Sequence, residues 1–564
     1  MAADVTESVP HSVWNAWGDP ARGHPLSEHA LAYLQTELQL DTIAPIHESV
    51  GLSDVQLTPS ALTDRVLAGL RSVVGKPNVA TDDVTRIVHA GGKSTTDLLR
   101  RRHGDVSGAP DAVVFPGSSA EVAGVLALCV AERIAVVPFG GGTSVVGGVE
   151  PLRGPFASVI TLDLRRLDRL LSIDIESRTA TFQAGIRGPA IEAALAEHGF
   201  TLGHLPQSHQ QATLGGYAAT RSAGQSSTGY GRSDELITAV RVETPSGTLN
   251  LGGRAPADAA GPHLSQLVLG SEGTFGVITE VTVAIVPAPA EKSYGAWAFP
   301  SFEAGARALR ALMQDAARSD VPEVVRLSDA AETAANFELA GGRKVTLLRR
   351  YLARRGLRHP AIALFAWEGR RGSTAARKRR CARLFRAHGG VYVTAAPARS
   401  WDDGRFLAPY RRDELLTRGV FVETLETAAQ WSRLASTHDA VQDALTAALT
   451  AIGSRCHVQA HVSHVYRGGA SLYYTVVAPL EGDGLEQYRR MKSAASDAIV
   501  AAGGTITHHH AVGIDHAPYL SAEIGELGLS VLAAVKRTLD PVGILNPGKL
   551  LAPEDPVEKA GTDG

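Results

Sequence analysis

Apolar positions along the chain follow two periods. In the first hundred residues they recur at helical spacing. Ala30, Leu31, Leu34 and Leu38 follow a cap-like Ser27 and Glu28, and residues 63–73 repeat the pattern. Further on, short apolar runs predict strands at 111–116, 134–137, 159–164, 171–175 and 179–184. Between the first two, Ser118-Ser119-Ala120-Glu121 opens a helix with the stripe Val122, Val125, Leu126 and Val130. Another helix is predicted over about 189–198. Beyond residue 290, helical patterns alternate with strands such as 361–366 and 471–477.

The run 134–137 delivers Pro138-Phe139-Gly140-Gly141-Gly142-Thr143-Ser144, the most informative turn in the chain. Three glycines let backbone enter positive φ and approach a ligand closely, and consecutive N–H groups can line a nest for phosphate oxygens. Read alone, it is a pyrophosphate loop or a glycine-rich surface turn. It is neither a P-loop, since no Gly-Lys-Ser/Thr follows, nor the spaced-glycine dinucleotide fingerprint. Two further segments share its character. One is Pro206-Gln207-Ser208 with 212–224, which includes Thr213, Gly215, Gly216, Thr220 and Ser222. The other is Gly270-Ser271-Glu272-Gly273-Thr274-Phe275-Gly276-Val277-Ile278. Small residues at this density suit close packing on a flat, bulky ligand.

Composition narrows the class. A chain of 564 residues predicts two or three domains, and a net charge of −3 argues against a dedicated nucleic-acid binder. Cys129, Cys381 and Cys456 form neither a disulfide framework nor metal-ligand spacing, so a reducing cytoplasm is expected. No apolar run reaches the ~20 residues that span a bilayer. The first thirty residues lack a signal-peptide pattern, and the tail after Leu551 reads as disordered. Residues 343–355 carry six basic and no acidic residues, with Val345, Leu348 and Leu352 on one helical face. Such a helix either packs on its own domain, the favoured reading, or makes a peripheral membrane contact. Arg377-Lys378-Arg379-Arg380 reads as the wet face of a helix. A homodimer is compatible with all of this.

Together the three glycine-rich segments and the ending Leu539-Asp540-Pro541 … Ile544-Leu545-Asn546-Pro547-Gly548-Lys549-Leu550 resemble the flavoproteins of vanillyl-alcohol-oxidase type. The resemblance spans nearly the whole chain and implies an α+β protein. It implies a helical N-terminal segment (1–107), a two-part FAD-binding domain (108–290), a mixed α/β cap (291–500) and a C-terminal segment (501–564) returning to the FAD site. FAD would rest on Pro138, Gly140, Gly141, Gly142, Thr143, Ser144, Gln207, Ser208, Thr213, Gly215, Gly216, Thr220, Ser222, Glu272, Gly273, Gly276, Val277 and Ile278. No histidine sits in a covalent-attachment motif, so the FAD is expected to be non-covalent.

One branch fits best. Trp14-Asn15-Ala16-Trp17-Gly18, Pro409-Tyr410-Arg411-Arg412-Asp413, residues 421–428 and Thr507-His508-His509-His510-Ala511-Val512-Gly513 are similar to the alkyldihydroxyacetonephosphate synthases. In the 2-hydroxyacid dehydrogenase branch the last place reads Glu-His-Gly, and that glutamate helps build a metal site. Ala511 and Gln207 depart from the synthase pattern, which has glycine and an acidic residue there. The resemblance implies exchange of an acyl chain for a fatty alcohol, with the flavin reacting at N5 and no net redox. The alternative is an FAD-linked oxidoreductase acting on a 2-hydroxyacid or alcohol. Such an exchange needs a base, cations for phosphate and an apolar path for the chain. His510 is the expected base, since an imidazole titrates near working pH, and His509 a phosphate or proton-relay partner. Arg412 would grip phosphate, Tyr473 a substrate oxygen, and Arg254 is a weaker phosphate candidate. No metal is expected, because adjacent histidines on extended chain point apart. His457 and His461, on one strand face, are the nearest thing to a ligand pair.

Overall fold

Ser27 and Thr63 behave as the spacing predicts. Each accepts a hydrogen bond from a backbone N–H three residues on, opening the helices Glu28–Leu38 and Asp64–Val74. The structure, a computed structural model, describes residues 13–23, 25–45 and 49–551; the tail expected to be disordered lies outside them. The lead-in is not purely helical. Strand Val79–Ala80 pairs antiparallel with Ala112–Val114, so the first hundred residues contribute an edge to the next sheet.

That sheet has four strands, ordered Val79–Ala80, Ala112–Val114, Val159–Asp163, Ala135–Phe139. The last three run parallel, joined through helix Ser119–Glu132, which Ser118 caps. Their residues are almost wholly buried, as expected where both faces are covered. A five-stranded antiparallel sheet follows, ordered Leu170–Asp174, Thr179–Gln183, Val277–Ala284, Ile237–Thr244, Gly247–Gly252. One hydrophobic core, including Val136, Phe182, Val242 and Val281, joins the two sheets.

The cap is built on seven antiparallel strands. Their order is Val391–Tyr392, Glu291–Phe299, Ala361–Gly369, Val324–Ser328, His457–Val465, Gly469–Pro479, Val420–Gln430. Helices Leu434–Thr450 and Leu485–Ala502 cover one face, with Leu425, Leu472 and Met491 in the shared core. Pairing places Glu426 opposite Tyr473, and Tyr473 opposite His461, on three adjacent strands. The chain then returns. Helix Leu520–Leu539 leads to Leu545, which bridges to Val136, and the N–H of Asn546 bonds the Val136 carbonyl at 2.8 Å. The end of the sequence therefore braces the strand that delivers the first glycine turn.

The basic segment forms helix Gly342–Arg354, with Leu352 buried and Val345 and Leu348 half-buried against the cap. The second basic cluster, on helix Ser373–Ala387, is not a wet face. Arg377 donates to the Glu368 carbonyl at 2.6 Å and pairs with Glu323 at 2.9 Å. Arg380 grips Asp320, and Lys378 bonds the Tyr294 carbonyl. Only Arg379 of this cluster points into solvent without such a contact. No helix among the described residues is long and apolar enough to cross a membrane.

Candidate active site

The three glycine-rich segments meet. A Cβ on Gly140 would lie 2.3 Å from Thr213 Oγ1, and one on Gly141 would lie 2.1 Å from the Gln211 carbonyl. The first segment thus rests flush on the second. Gly273, at φ +78°, presses on Pro138, where a Cβ would come within 2.8 Å of Cγ. Any side chain at these positions would push the segments apart. Polar atoms of the second and third segments fit a bound cofactor. Gln207 Nε2, Gln211 Oε1 and Ser271 Oγ are buried without a protein partner. Such atoms around a side-chain-free cleft are what the amides, phosphates and hydroxyls of FAD would satisfy. Other expected contacts are already engaged. Thr213 caps helix Leu214–Thr220, Thr220 Oγ1 bonds the Gly216 carbonyl, and Ser222 Oγ meets His204 Nε2 at 2.7 Å. Ser144 Oγ accepts from the Gly148 N–H. These side chains shape the cleft, which leaves backbone and half-buried Thr143 to face a ligand.

Glu272 departs from expectation. Its carboxylate accepts the N–H groups of Val512 and Gly513 at about 3.0 Å instead of facing the cofactor cleft. Burial raises its pKa to about 7, against the pull of those N–H bonds. A second buried carboxylate does the same for the other half of the turn. Glu426 accepts the N–H of His508 (2.7 Å), His509 (3.1 Å) and His510 (2.9 Å), and the Thr507 hydroxyl at 2.7 Å. Two acids, one from the cap and one from the FAD-binding half, therefore fix the backbone of 508–513 between them. Ala511, between the two sets, sits at φ +74°. That left-handed conformation explains why glycine would be at ease there.

The turn sorts the three imidazoles. His508 Nδ1 lies 2.9 Å from His509 Nδ1, and His508 Nε2 lies 2.6 Å from the Tyr466 hydroxyl. Neither ring nitrogen of His510 has a partner among the described residues. Its ring stands edge-on to Tyr473, centroids 5.6 Å apart, and the His509 ring stacks on Tyr473 at 5.9 Å. Burial lowers both His509 and His510 to a pKa of about 4, despite the nearby Glu426 charge. Both are neutral at pH 7. Burial also opposes the charge on Glu426, but the surrounding imidazoles and the Thr507 hydroxyl hold its pKa well below the usual range. Burial raises Tyr473 to about 12, so it remains a hydrogen-bond donor.

Arg412, on helix Ala408–Thr417, donates Nη1 to the Lys93 carbonyl at 3.0 Å. Its Nε and Nη2 are buried without partners, and its charge reaches Tyr473. The structure thus gathers His509, His510, Tyr473 and Arg412. It leaves out Arg254, which lies exposed beyond strand Gly247–Gly252. Arg326 stands closer: its Nη2 is 3.0 Å from His461 Nδ1 and pairs with Glu332 at 2.5 Å. His461 also stacks on Tyr473 at 5.0 Å.

His457 and His461 do not converge on an ion. His461 Nδ1 is engaged by Glu332 and Arg326, whereas His457 sits near Glu37 and Tyr33. A different set, His464, His508 and His509, offers nitrogens within 4.8 Å of one another. Those nitrogens also lie within hydrogen-bond distance of the Gly224 carbonyl, the Tyr466 hydroxyl and, between His508 and His509, each other. A cavity of about 550 Å³ adjoins them, bordered by Thr220, Arg232, Tyr466, His508 and His509 among others.

Comparison with known proteins gives the family. Residues 110–251 match the family described as "FAD binding domain", and residues 288–550 match "FAD linked oxidases, C-terminal domain". An alkyldihydroxyacetonephosphate synthase of Trypanosoma brucei brucei is 31% identical over 588 residues, covering 98% of this chain and 94% of its own. A solved alkyldihydroxyacetonephosphate synthase superposes with a TM-score of 0.81 at 26% identity, over 95% of this chain and 98% of its own. The glycolate oxidase subunit GlcD of Bacillus subtilis is 28% identical over 78% of this chain and 89% of its own.

Proposed function

We propose that this chain, which belongs to the alkyldihydroxyacetonephosphate synthase family of FAD-dependent enzymes, exchanges the acyl chain of acyl-dihydroxyacetone phosphate for a fatty alcohol, forming an ether-lipid precursor. FAD is held without a covalent bond, along the Pro138–Ser144 turn and the segments packed on it. When bound, it supplies the reactive ring on which the exchange runs without net electron transfer.

The residues of the chain do the rest. His510 takes the carbon-bound proton, because it is the one imidazole of the triplet with free ring nitrogens and it is neutral at pH 7. Tyr473 donates to a substrate oxygen. Arg412 grips the phosphate through the two N–H edges that have no protein partner. Glu426 and Glu272 hold the backbone N–H groups of the histidine turn, and Glu426 also accepts the Thr507 hydroxyl.

The observation that carries this reading is the pairing of an imidazole without a ring partner among the described residues with a guanidinium whose Nε and Nη2 are buried without a hydrogen-bond partner, both around Tyr473. A steady-state comparison tests it. The protein should form ether from acyl-dihydroxyacetone phosphate and a long-chain alcohol, and should not reduce a dye acceptor with 2-hydroxyacids or alcohols. Rapid dye reduction without ether product would instead make it an FAD-linked oxidoreductase. Acid precipitation should release all the flavin; flavin remaining on the pellet would contradict non-covalent binding.

A further inference from the structure

Gln207 and Gln225 meet where the cap reaches the FAD-binding half, and their amides can face only one way. Arg405 lies in the turn between helices Ala396–Asp403 and Ala408–Thr417 and is 4% exposed. Its Nη1 pairs with Asp402 at 2.9 Å, and its Nη2 donates to the Ser226 hydroxyl at 3.3 Å. Asp402 also holds Lys292 at 2.9 Å and accepts the Tyr294 hydroxyl at 2.8 Å. The guanidinium is thus fixed from the cap side, and its Nε donates to Gln225 Oε1 at 2.6 Å.

A guanidinium only donates, so Gln225 must show Arg405 its oxygen. The Gln225 NH2 then points the other way. It donates to the Arg405 carbonyl at 3.2 Å and to Gln207 Oε1 at 3.0 Å. Turning this amide over would set NH2 against N–H at one end and oxygen against two oxygens at the other. The same logic orients Gln207. Its oxygen is taken by Gln225, so its NH2 is turned away, and that Nε2 is buried without a protein partner. A buried donor left unmet is costly, so it calls for an acceptor from a ligand.

We propose that Arg405 and Gln225 are positioning residues that set the polarity of the cofactor cleft. They hold Gln207 with its NH2 toward FAD, where it donates to an acceptor atom: a ring carbonyl, a ring nitrogen or a phosphate oxygen. Both act through Gln207. The cap thereby contributes to FAD affinity across two amides. This inference rests on the cofactor reading of the second glycine-rich segment and not on the exchange reaction.

The test is a double-mutant cycle on the FAD-loaded protein. Each form is diluted, and released flavin is followed by its fluorescence to give Kd. Gln225→Glu keeps an oxygen toward Arg405 and puts a second oxygen where the NH2 was. Gln207 must then turn over, donate to the new carboxylate and show its own oxygen to FAD. Kd should rise about ten- to a hundredfold. Gln207→Leu removes the donor and should raise Kd about tenfold. On that background Gln225→Glu should add less than about twofold, because no amide is left to turn. An equal cost in both backgrounds overturns the proposal, since a merely structural fault acts without Gln207. So does parent-like affinity in Gln225→Glu or, should that variant not fold, in Gln207→Leu. Within the supporting result, a shift of flavin midpoint potential alongside Kd places the acceptor on the ring, and an unchanged potential places it on phosphate. A parent that carries no flavin overturns the cofactor reading and this inference with it, a failure the parent alone reveals.

Discussion

Glu426→Gln perturbs the site where its geometry is most concentrated. The substitution keeps the shape of the side chain, removes its charge and replaces one acceptor oxygen by an NH2 group. In the parent, one oxygen accepts from Thr507 Oγ1 and the His509 and His510 N–H groups, and the other accepts from the His508 N–H. In the variant, at least one backbone N–H faces a donor, and the rest lose their charge assistance. A hydrogen bond to a charged group is worth about 1.5–3 kcal/mol, and an unsatisfied buried donor costs about 1–3 kcal/mol. The ordered histidine turn should therefore lose about 3–5 kcal/mol relative to displaced conformers. That is a fall of roughly two to four orders of magnitude in turnover if only the ordered turn is competent. The assay is kcat for ether formation alongside flavin content and Tm. Turnover should collapse while flavin stays bound, because Glu426 belongs to the cap sheet and the first glycine segment does not touch it. Parent-like turnover would refute the argument, and so would loss of flavin in proportion to loss of activity.

Further outcomes follow from the same geometry. His510→Ala should abolish exchange with FAD retained by absorbance; persisting turnover would remove His510 from the base role. Ala511→Gly should raise Tm with activity kept, since an alanine at φ +74° carries about 1 kcal/mol of backbone strain, only partly offset by the greater chain entropy of glycine; a lower Tm would contradict this. Stability should also fall as pH drops below neutrality. Burial holds His204, His464 and His516 at about 3 and His509 and His510 at about 4, so these rings stay neutral in the fold while the unfolded chain protonates them near 6.5. Their contribution is complete above pH 6.5 and is lost as pH falls from 6.5 to about 4 for His509 and His510 and to about 3 for His204, His464 and His516, at about 1.4 kcal/mol per pH unit for each ring. Glu272, raised to about 7, offsets one of them. A Tm that is flat from pH 7 to 5 would contradict the burial of these rings.

Much of this was legible in the chain. Ser27, Thr63 and Ser118 announce their helices because a cap is a local contract between a hydroxyl and an N–H three residues away. The three glycine turns read together as a cofactor cleft because each needs the same backbone freedom. Glu426 was not legible. Its partners lie 81 to 84 residues away, and in Val420–Gln430 it looks like a polar position on an edge strand. The available signal was weak: an acidic residue between apolar and threonine positions whose neighbours are buried. Glu272 misled for the opposite reason. It sits inside a cofactor motif, and only the returned C-terminal turn shows that its carboxylate faces backbone. Tyr466 could not be singled out either, because nothing local marks a tyrosine at the end of a strand as the neighbour of a histidine 42 residues on.

The account stands or falls on exchange without net redox. Under strict anaerobiosis and with no electron acceptor, the FAD-loaded protein is given acyl-dihydroxyacetone phosphate and a long-chain alcohol, and ether, free fatty acid and flavin absorbance are followed together. One fatty acid should appear for each ether over many turnovers, with the oxidised flavin spectrum recovered at the end. Flavin bleached once and held reduced, with no ether formed, would show a dehydrogenase in place of a synthase.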